Sequence, residues 1–181
     1  MSQEYYEELK KLIGQGGTPR EALDEVCKPM IRHWCEAMQD GNPLYTNEEF
    51  ARKSKYGGII APPTMMLTFT MPPLWPPRQD PPHPFEQFLA KLDKAGFLGI
   101  LVTNVSQKYH RPLSPGDRVT FTYKVTDMSP LKKTSLGNGH FVTTSFVFTN
   151  QKGGDGGHSE FHRLEVRHWV GRHNSRGGRN R

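Results

Sequence analysis

Asp40 and Tyr45 stand five residues apart in the run Gln39-Asp40-Gly41-Asn42-Pro43-Leu44-Tyr45. Asp-Gly and Asn-Pro force a turn there, because glycine accepts positive φ and proline disfavours helix in the residue before it. An amphipathic helix is expected to end at Asp40, and another helix start follows Pro62-Pro63-Thr64. A carboxylate on a rigid turn beside a helix start can orient a water molecule. Its companion is a phenol, and a phenol with a pKa near 10 is a poor general base at neutral pH. Asp40 is also a residue type at home in turns, so the turn alone does not make it catalytic.

Other residues offer weaker chemistry. His110, beside Arg111 in a predicted strand, reads first as a structural or interface residue and second as an acid–base group. His158, Glu160 and His162 alternate, which puts them on one strand face; a solvated sheet face is the simpler reading, and no metal is expected. Gly153 to Gly157 is glycine-rich, but no helix follows it, so a hairpin loop is favoured over a phosphate cradle. Lys108, Arg111, Lys132 and Lys133 form a basic set able to meet phosphates, or simply exposed charge.

The elements that must position these groups follow from pattern. Tyr5, Leu9, Leu12 and Ile13 make a helical stripe stopped by Gly14-Gln15-Gly16-Gly17. Thr18-Pro19-Arg20-Glu21 reads as a capping box leading into a helix with Met30, Ile31, Trp34, Cys35 and Met38 on one face. A short helix over 47–54, capped by Thr46, and one beginning near Thr64 come next. Nine of the 15 prolines lie between Pro62 and Pro84, so the latter helix ends at Pro72-Pro73 and a stiff extended loop follows. A second helical segment over 85–95 turns Phe88, Leu89 and Leu92 inward and closes at Gly96. Strands are predicted over 101–110, around Val119 to Val125, over 141–149 and over 161–169, joined by short turns, which implies an antiparallel sheet and an α+β chain.

The 181 residues suit one domain. No apolar run is long enough to cross a bilayer and no leader pattern opens the chain, so a cytoplasmic protein is expected. Cys27 and Cys35, about two helical turns apart, are too distant for a disulfide along one helix and read as thiols in a reducing compartment. The formal charge is +6, and the arginines of the tail, Arg172, Arg176, Arg179 and Arg181, account for much of it, since without them it falls to +2. A disordered basic end over 171–181 is the plain reading, and RNA binding through it the alternative.

The ordered set of a helix, Asp-Gly-Asn-Pro-Leu-Tyr, Gly58-Ile59-Ile60-Ala61-Pro62-Pro63-Thr64, and Gln107-Lys108-Tyr109-His110-Arg111-Pro112-Leu113-Ser114-Pro115-Gly116-Asp117 resembles the MaoC-like hot-dog dehydratases and enoyl-CoA hydratases, in their fatty-acid-synthase-type N-terminal branch. The proline-rich insertion after Met71 and Leu136-Gly137-Asn138-Gly139-His140-Phe141 are most similar to the hot-dog domain of the larger subunit of the steroid side-chain enoyl-CoA hydratase. The likeness covers roughly residues 29–168. It implies a single hot-dog fold over 1–170: a curved antiparallel sheet wrapped around a helix, here proline-shortened, with extra N-terminal helices over 1–27.

In that family an Asp orients water, a His five residues later moves the proton, and a glycine N–H at a helix start holds the thioester oxygen. Asp40 fits the first position, but Tyr45 occupies the His position and Pro63, which has no N–H, falls on the glycine; a one-residue slip would bring in Thr64. The resemblance therefore implies a non-catalytic, pocket-forming subunit of a heteromeric enoyl-CoA hydratase for a bulky steroid side-chain acyl-CoA, with no cofactor. A catalytic MaoC-like partner would supply Asp and His in a heterodimer or heterotetramer. Met65, Met66, Phe69, Met71, Leu74 and Trp75 are expected to wall the acyl pocket; Lys108, His110 and Arg111 to meet CoA or the partner. An aldolase-docking domain, carried by the larger subunit of the resembling system, is expected outside this stretch. The alternatives are a self-sufficient hydratase or dehydratase using Asp40 with His110 as shuttle, and a ligand- or RNA-binding hot dog without chemistry.

Overall fold

A computed structural model describes residues 4–151 and 159–171, with only the backbone of 159–167. The elements run α1 (Glu4–Lys10), β1 (Arg20–Glu21), α2 (Lys28–Met38), α3 (Pro43–Thr46), α4 (Glu48–Lys53), a 3₁₀ helix (Pro63–Thr70), α5 (Pro84–Lys94), β2 (Gly99–Tyr109), β3 (Val119–Met128), β4 (Lys132–Thr134), β5 (Gly137–Asn150) and β6 (Ser159–Gly171). The strands form one antiparallel sheet in the order β1-β3-β5-β6-β2, with β4 hairpinned onto β5. Four long strands preceded by helices make the chain α+β, as expected.

Local chemistry explains most boundaries. α2 ends where Gln39 adopts φ 54° and its N–H reaches the Cys35 and Glu36 carbonyls. Asn42 caps α3 by accepting from Leu44 N–H at 3.0 Å. α5 opens with a reciprocal capping box: His83 accepts from Phe85 N–H while Glu86 accepts from His83 N–H at 2.8 Å. Gly96, at φ 82°, then ends the turn after α5 in a conformation that suits glycine.

Several expectations are corrected. Thr18 to Glu21 caps no helix; Arg20 and Glu21 pair with Phe121 and Thr120 because the edge of β3 needs backbone partners, and α2 starts only at Lys28. Among the described residues of the span 1–27, only α1 is helical. The cap of α4 is Asn47, which accepts from Phe50 N–H at 3.0 Å, and not Thr46. The segment after Pro62 is 3₁₀ rather than α. His110 lies just past the last residue of β2.

Two apolar clusters cover the sheet. The 3₁₀ helix and α2 bury Met65, Phe69 and Ile31 against Phe121, Tyr123 and Phe148. α1 and α5 bury Leu9, Phe88 and Leu92 against Val125, Val142 and Val170. The helix expected to span the sheet is therefore split in two, with residues 71–83 looping out between the pieces. Arg20 closes that loop onto the sheet. Its guanidinium donates to Glu86 at 2.5 and 3.2 Å, to Tyr123 Oη at 2.8 Å and to the Pro81 carbonyl at 3.1 Å. Chiefly through Arg20, Glu86 is held down to about 2. Because the Glu86 side chain is 43% exposed, solvent screens the pair, and its contribution is about 1 kcal/mol. Arg78 adds a second tie by donating to the Glu21 carbonyl at 3.0 Å.

His140, 1% exposed, fastens α1 to the sheet. Its ring bonds Tyr5 Oη at 2.7 Å and the Ser129 carbonyl at 2.8 Å, and stacks on Tyr6. Burial lowers its pKa. The unfolded imidazole, near 6.5, takes up its proton before the folded one. Stability is accordingly complete above about pH 6.5 and falls as pH drops through that value. We expect the melting temperature to decline on acidification from about pH 7 to about pH 5.5, and the decline to be shallower in His140→Gln; parallel slopes would contradict this.

Candidate functional site

The turn at Asp40 is tied to the rest of the fold by backbone. Asp40 N–H donates to the Cys35 carbonyl at 2.9 Å, and Asp40 Oδ1 accepts from Asn42 N–H at 3.1 Å, so the carboxylate braces its own turn. Ile60 N–H reaches the Leu44 carbonyl and Ala61 N–H the Leu113 carbonyl at 2.8 Å, which sets Pro62-Pro63 between the turn and the segment after β2.

These three pieces enclose a cavity of about 280 Å³. Ile60, Ala61, Pro62, Pro63, Met66 and Leu113 give it an apolar base; Tyr45, Tyr56, Tyr109, His110 and Arg111 give it polar groups. Five residues singled out from the sequence thus meet in one place: Tyr45, Pro63, Met66, His110 and Arg111. Arg111 is held by the buried Asn150 side-chain carbonyl. Asp40 is half-buried behind the wall and does not line the cavity, though its charge is felt at Tyr45. Burial, and next the Asp40 carboxylate, push the Tyr45 phenol above its ordinary value. A neutral phenol there can donate or accept a hydrogen bond but does not abstract a proton from water at neutral pH. Pro63 is the first residue of the 3₁₀ helix and has no peptide N–H to offer there.

The remaining pocket candidates separate. Met65 and Phe69 are packed in the core beside Met66. Met71, Leu74 and Trp75 lie on the proline-rich loop, Leu74 and Trp75 being 96% and 86% exposed. Lys108 is exposed on β2, outside the cavity lining. His158 and the loop 153–157 lie outside the described residues, as do the side chains of Glu160 and His162 and the tail beyond Gly171. No three His, Cys, Asp or Glu side chains gather for a metal among the described residues, and no described helix is long and apolar enough to cross a membrane.

A second cavity, about 210 Å³, opens at the break in the helix. Thr70 and Pro72 flank it on one side and Phe85 and Glu86 on the other; Phe121, Tyr123 and Phe146 of the sheet also line it, with Arg20 and Arg78. Sequence reasoning missed this lining, because Phe121 and Tyr123 register only as strand alternation and Arg20 meets Glu86 across 66 residues. The proline cluster was the available signal: it marks where helical volume is missing. β2, at the end of the strand order, exposes Ile100, Leu101, Val102 and Val105 on its two faces.

Comparisons with known proteins agree with this architecture. Residues 12–155 match the model of the FAS1-like dehydratase domain region. A probable enoyl-CoA hydratase alpha subunit of Thermomonospora curvata is 39% identical over 157 residues, 84% of this chain and 49% of that protein. The 3-oxo-4,17-pregnadiene-20-carboxyl-CoA hydratase alpha subunit of Mycobacterium tuberculosis is 39% identical over 132 residues, 72% of this chain and 42% of that protein. The chain therefore spans about half the length of the curated relatives it matches. Among solved structures, a chain of the ChsH1-ChsH2 complex from Mycobacterium tuberculosis superposes with a TM-score of 0.85 at 29% identity, covering 96% of this chain and 99% of that one. A MaoC-like dehydratase at 19% identity, TM-score 0.66, shares the fold; the match covers 91% of this chain and 43% of that one.

The raised phenol is directly measurable. In an ultraviolet titration, Tyr45→Phe should leave tyrosinate absorbance unchanged up to about pH 9 and lower it above about pH 10. Loss of signal in the variant already near pH 8 would reinstate Tyr45 as a base.

Proposed function

This chain belongs to the FAS1-like dehydratase branch of the MaoC-like hot-dog family, and on that premise we propose that it is the non-catalytic, pocket-forming subunit of a heteromeric enoyl-CoA hydratase acting on a bulky acyl-CoA, of the steroid side-chain kind that one relative's name specifies. The observation that carries the proposal is the 280 Å³ cavity in which a neutral phenol and an imino acid stand where hydration needs a base and an oxyanion donor. Adding water across a conjugated double bond requires a group that takes a proton from water as oxygen bonds to the β-carbon. It also requires an N–H to hold the enolate oxygen until the α-carbon is protonated. Lacking the base costs about 10²–10⁴ in rate and lacking the donor about 10²–10³. A self-sufficient hydratase would have to pair Asp40, which is not on the cavity wall, with His110, which is, as its proton shuttle.

A partner hot dog supplies both groups. The exposed apolar β2 edge supports such pairing, since an unpaired hydrophobic edge strand is otherwise an aggregation hazard. The alpha-subunit names of the relatives and the complex in which the neighbouring structure was solved support it further. No redox or metal cofactor enters this chemistry. The acyl group occupies the volume freed at the helix break, so its wall is Phe85, Phe121, Tyr123 and Phe146 rather than Leu74 and Trp75.

The test is a reconstituted complex with a hot-dog partner that carries an intact Asp–His loop. Asp40→Ala combined with Tyr45→Phe in this chain should change kcat less than about 3-fold, while removing the partner's His should lower it about 10²–10⁴-fold. A loss of comparable size from the double variant in this chain would defeat the proposal.

A further inference from the structure

We propose that His83 is an acid-sensitive latch: neutral, it locks the first turn of α5 to the proline-rich loop, and on taking up a second ring proton it lets both go. The ring is 3% exposed and lies on Tyr123, with centroids 3.9 Å apart at 25°. Its Nδ1 accepts from Phe85 N–H at 3.3 Å, so the neutral ring carries its proton on Nε2. That Nε2–H has no hydrogen-bond partner among the described residues. Gly17 lies against the same edge of the ring: a methyl group there would come within 2.0 Å of Nε2 and Cδ2, so a bare glycine is what admits the imidazole. His140 differs, because both of its nitrogens meet oxygens.

A second proton has to go to Nδ1, and the lone pair it needs is the one that caps α5. Protonation turns that acceptor into a donor facing Phe85 N–H, at the helix end where the backbone dipole disfavours positive charge. The charged groups around the ring do not compensate. Arg20, on β1, opposes a charge on it; Glu86, on α5, favours one but is already taken by Arg20, by Tyr123 Oη and by His83 N–H. Arg78 and Asp80 of the loop and Glu21 of β1 line the cavity beside His83, Arg78 being paired with Asp80 and Glu21 with Arg118. Tyr123, on β3, is kept neutral by burial. Burial first, and then Arg20, hold the imidazole below its ordinary value. The turn is therefore fully held above about pH 6.5, the value of a released imidazole, and the hold is lost as pH falls toward the lower value of the buried ring.

The loop is tied through the same turn. Glu86 accepts from His83 N–H at 2.8 Å, Gln87 Nε2 donates to the Pro82 carbonyl at 3.0 Å, and Arg20, held by Glu86, donates to the Pro81 carbonyl at 3.1 Å. When the turn frays these three slacken together, while Arg78 keeps its bond to the Glu21 carbonyl and serves as the hinge. The cavity of about 340 Å³ beside His83 and the cavity at the helix break share Arg20 and Arg78 in their linings, so release of the turn widens both.

Amide hydrogen exchange on the full chain tests this. Corrected for intrinsic exchange, opening at Phe85 to Phe88 should rise about 5-fold between about pH 7 and about pH 5.5. The rise should be insensitive to low denaturant, as fraying of one turn is and global unfolding is not. His83→Asn keeps a cap acceptor and removes the titration, so the same amides should stay flat. Nitrogen NMR should place the proton on Nε2 near neutral pH, and on acidification the Phe85 amide shift should follow the His83 ring with one midpoint below about 6.5. A flat wild type, a parallel rise in His83→Asn, or a rise with the denaturant dependence of global unfolding overturns the inference. Should His83→Asn fail to fold, a ring midpoint at or above about 6.5, or a Phe85 amide that does not follow the ring, overturns it instead.

Discussion

Prolines 72, 73, 76, 77, 81 and 82 remove six amide donors from eleven residues, and no helix survives that density. A hot-dog sheet needs a helix packed across it, and here the cover is delivered in two parts, an eight-residue 3₁₀ helix and the eleven-residue α5. Each part has its own apolar cluster with the sheet. In the gap between them, aromatic rings of the sheet meet open volume. Arg20 and Arg78 tie the proline loop to β1, by hydrogen bonds to the Pro81 and Glu21 carbonyls.

The same economy of backbone donors shapes the cavity beside Tyr45. A proline at the start of the 3₁₀ helix suits the helix, since its missing N–H would be an orphan there anyway. It is unsuited to holding a developing oxyanion. Tyr45 fits its cavity for a related reason: a phenol tolerates partial burial beside the Asp40 carboxylate by remaining neutral, whereas an imidazole would be drawn toward its charged form. Tyr45 and Pro63 both line one cavity.

How much of this was legible in the sequence follows from the range of the interactions involved. The turn from Gln39 to Tyr45, the stop at Pro72-Pro73, the cap at Gly96 and the four long strands are set by neighbours along the chain, and pattern found them, though not the short β4. Tyr45, Pro63, His110 and Arg111 were each singled out by motif, but their meeting in one cavity is a product of the fold. β1 was not legible, because a two-residue strand has no period and exists only to pair the edge of β3; the Thr18 to Glu21 capping pattern was a local signal that this pairing overrode. Leu74 and Trp75 stand apart from the second cavity for a different reason. Large apolar residues next to a broken helix suggest a pocket wall, yet the prolines hold them out in solvent, and the sheet aromatics across the gap do the lining. Arg20, Glu86 and Tyr123 are distant in sequence and carry no motif, so only the fold brings them together.

On the proposed reading, this chain holds a substrate that it does not hydrate. The most direct measurement is a single-turnover experiment with the purified chain alone, in excess over a fused-ring enoyl-CoA, following loss of the conjugated thioester. The account predicts binding without hydration above the uncatalysed rate, and hydration once the catalytic partner is added. Brisk hydration by the chain alone would contradict it.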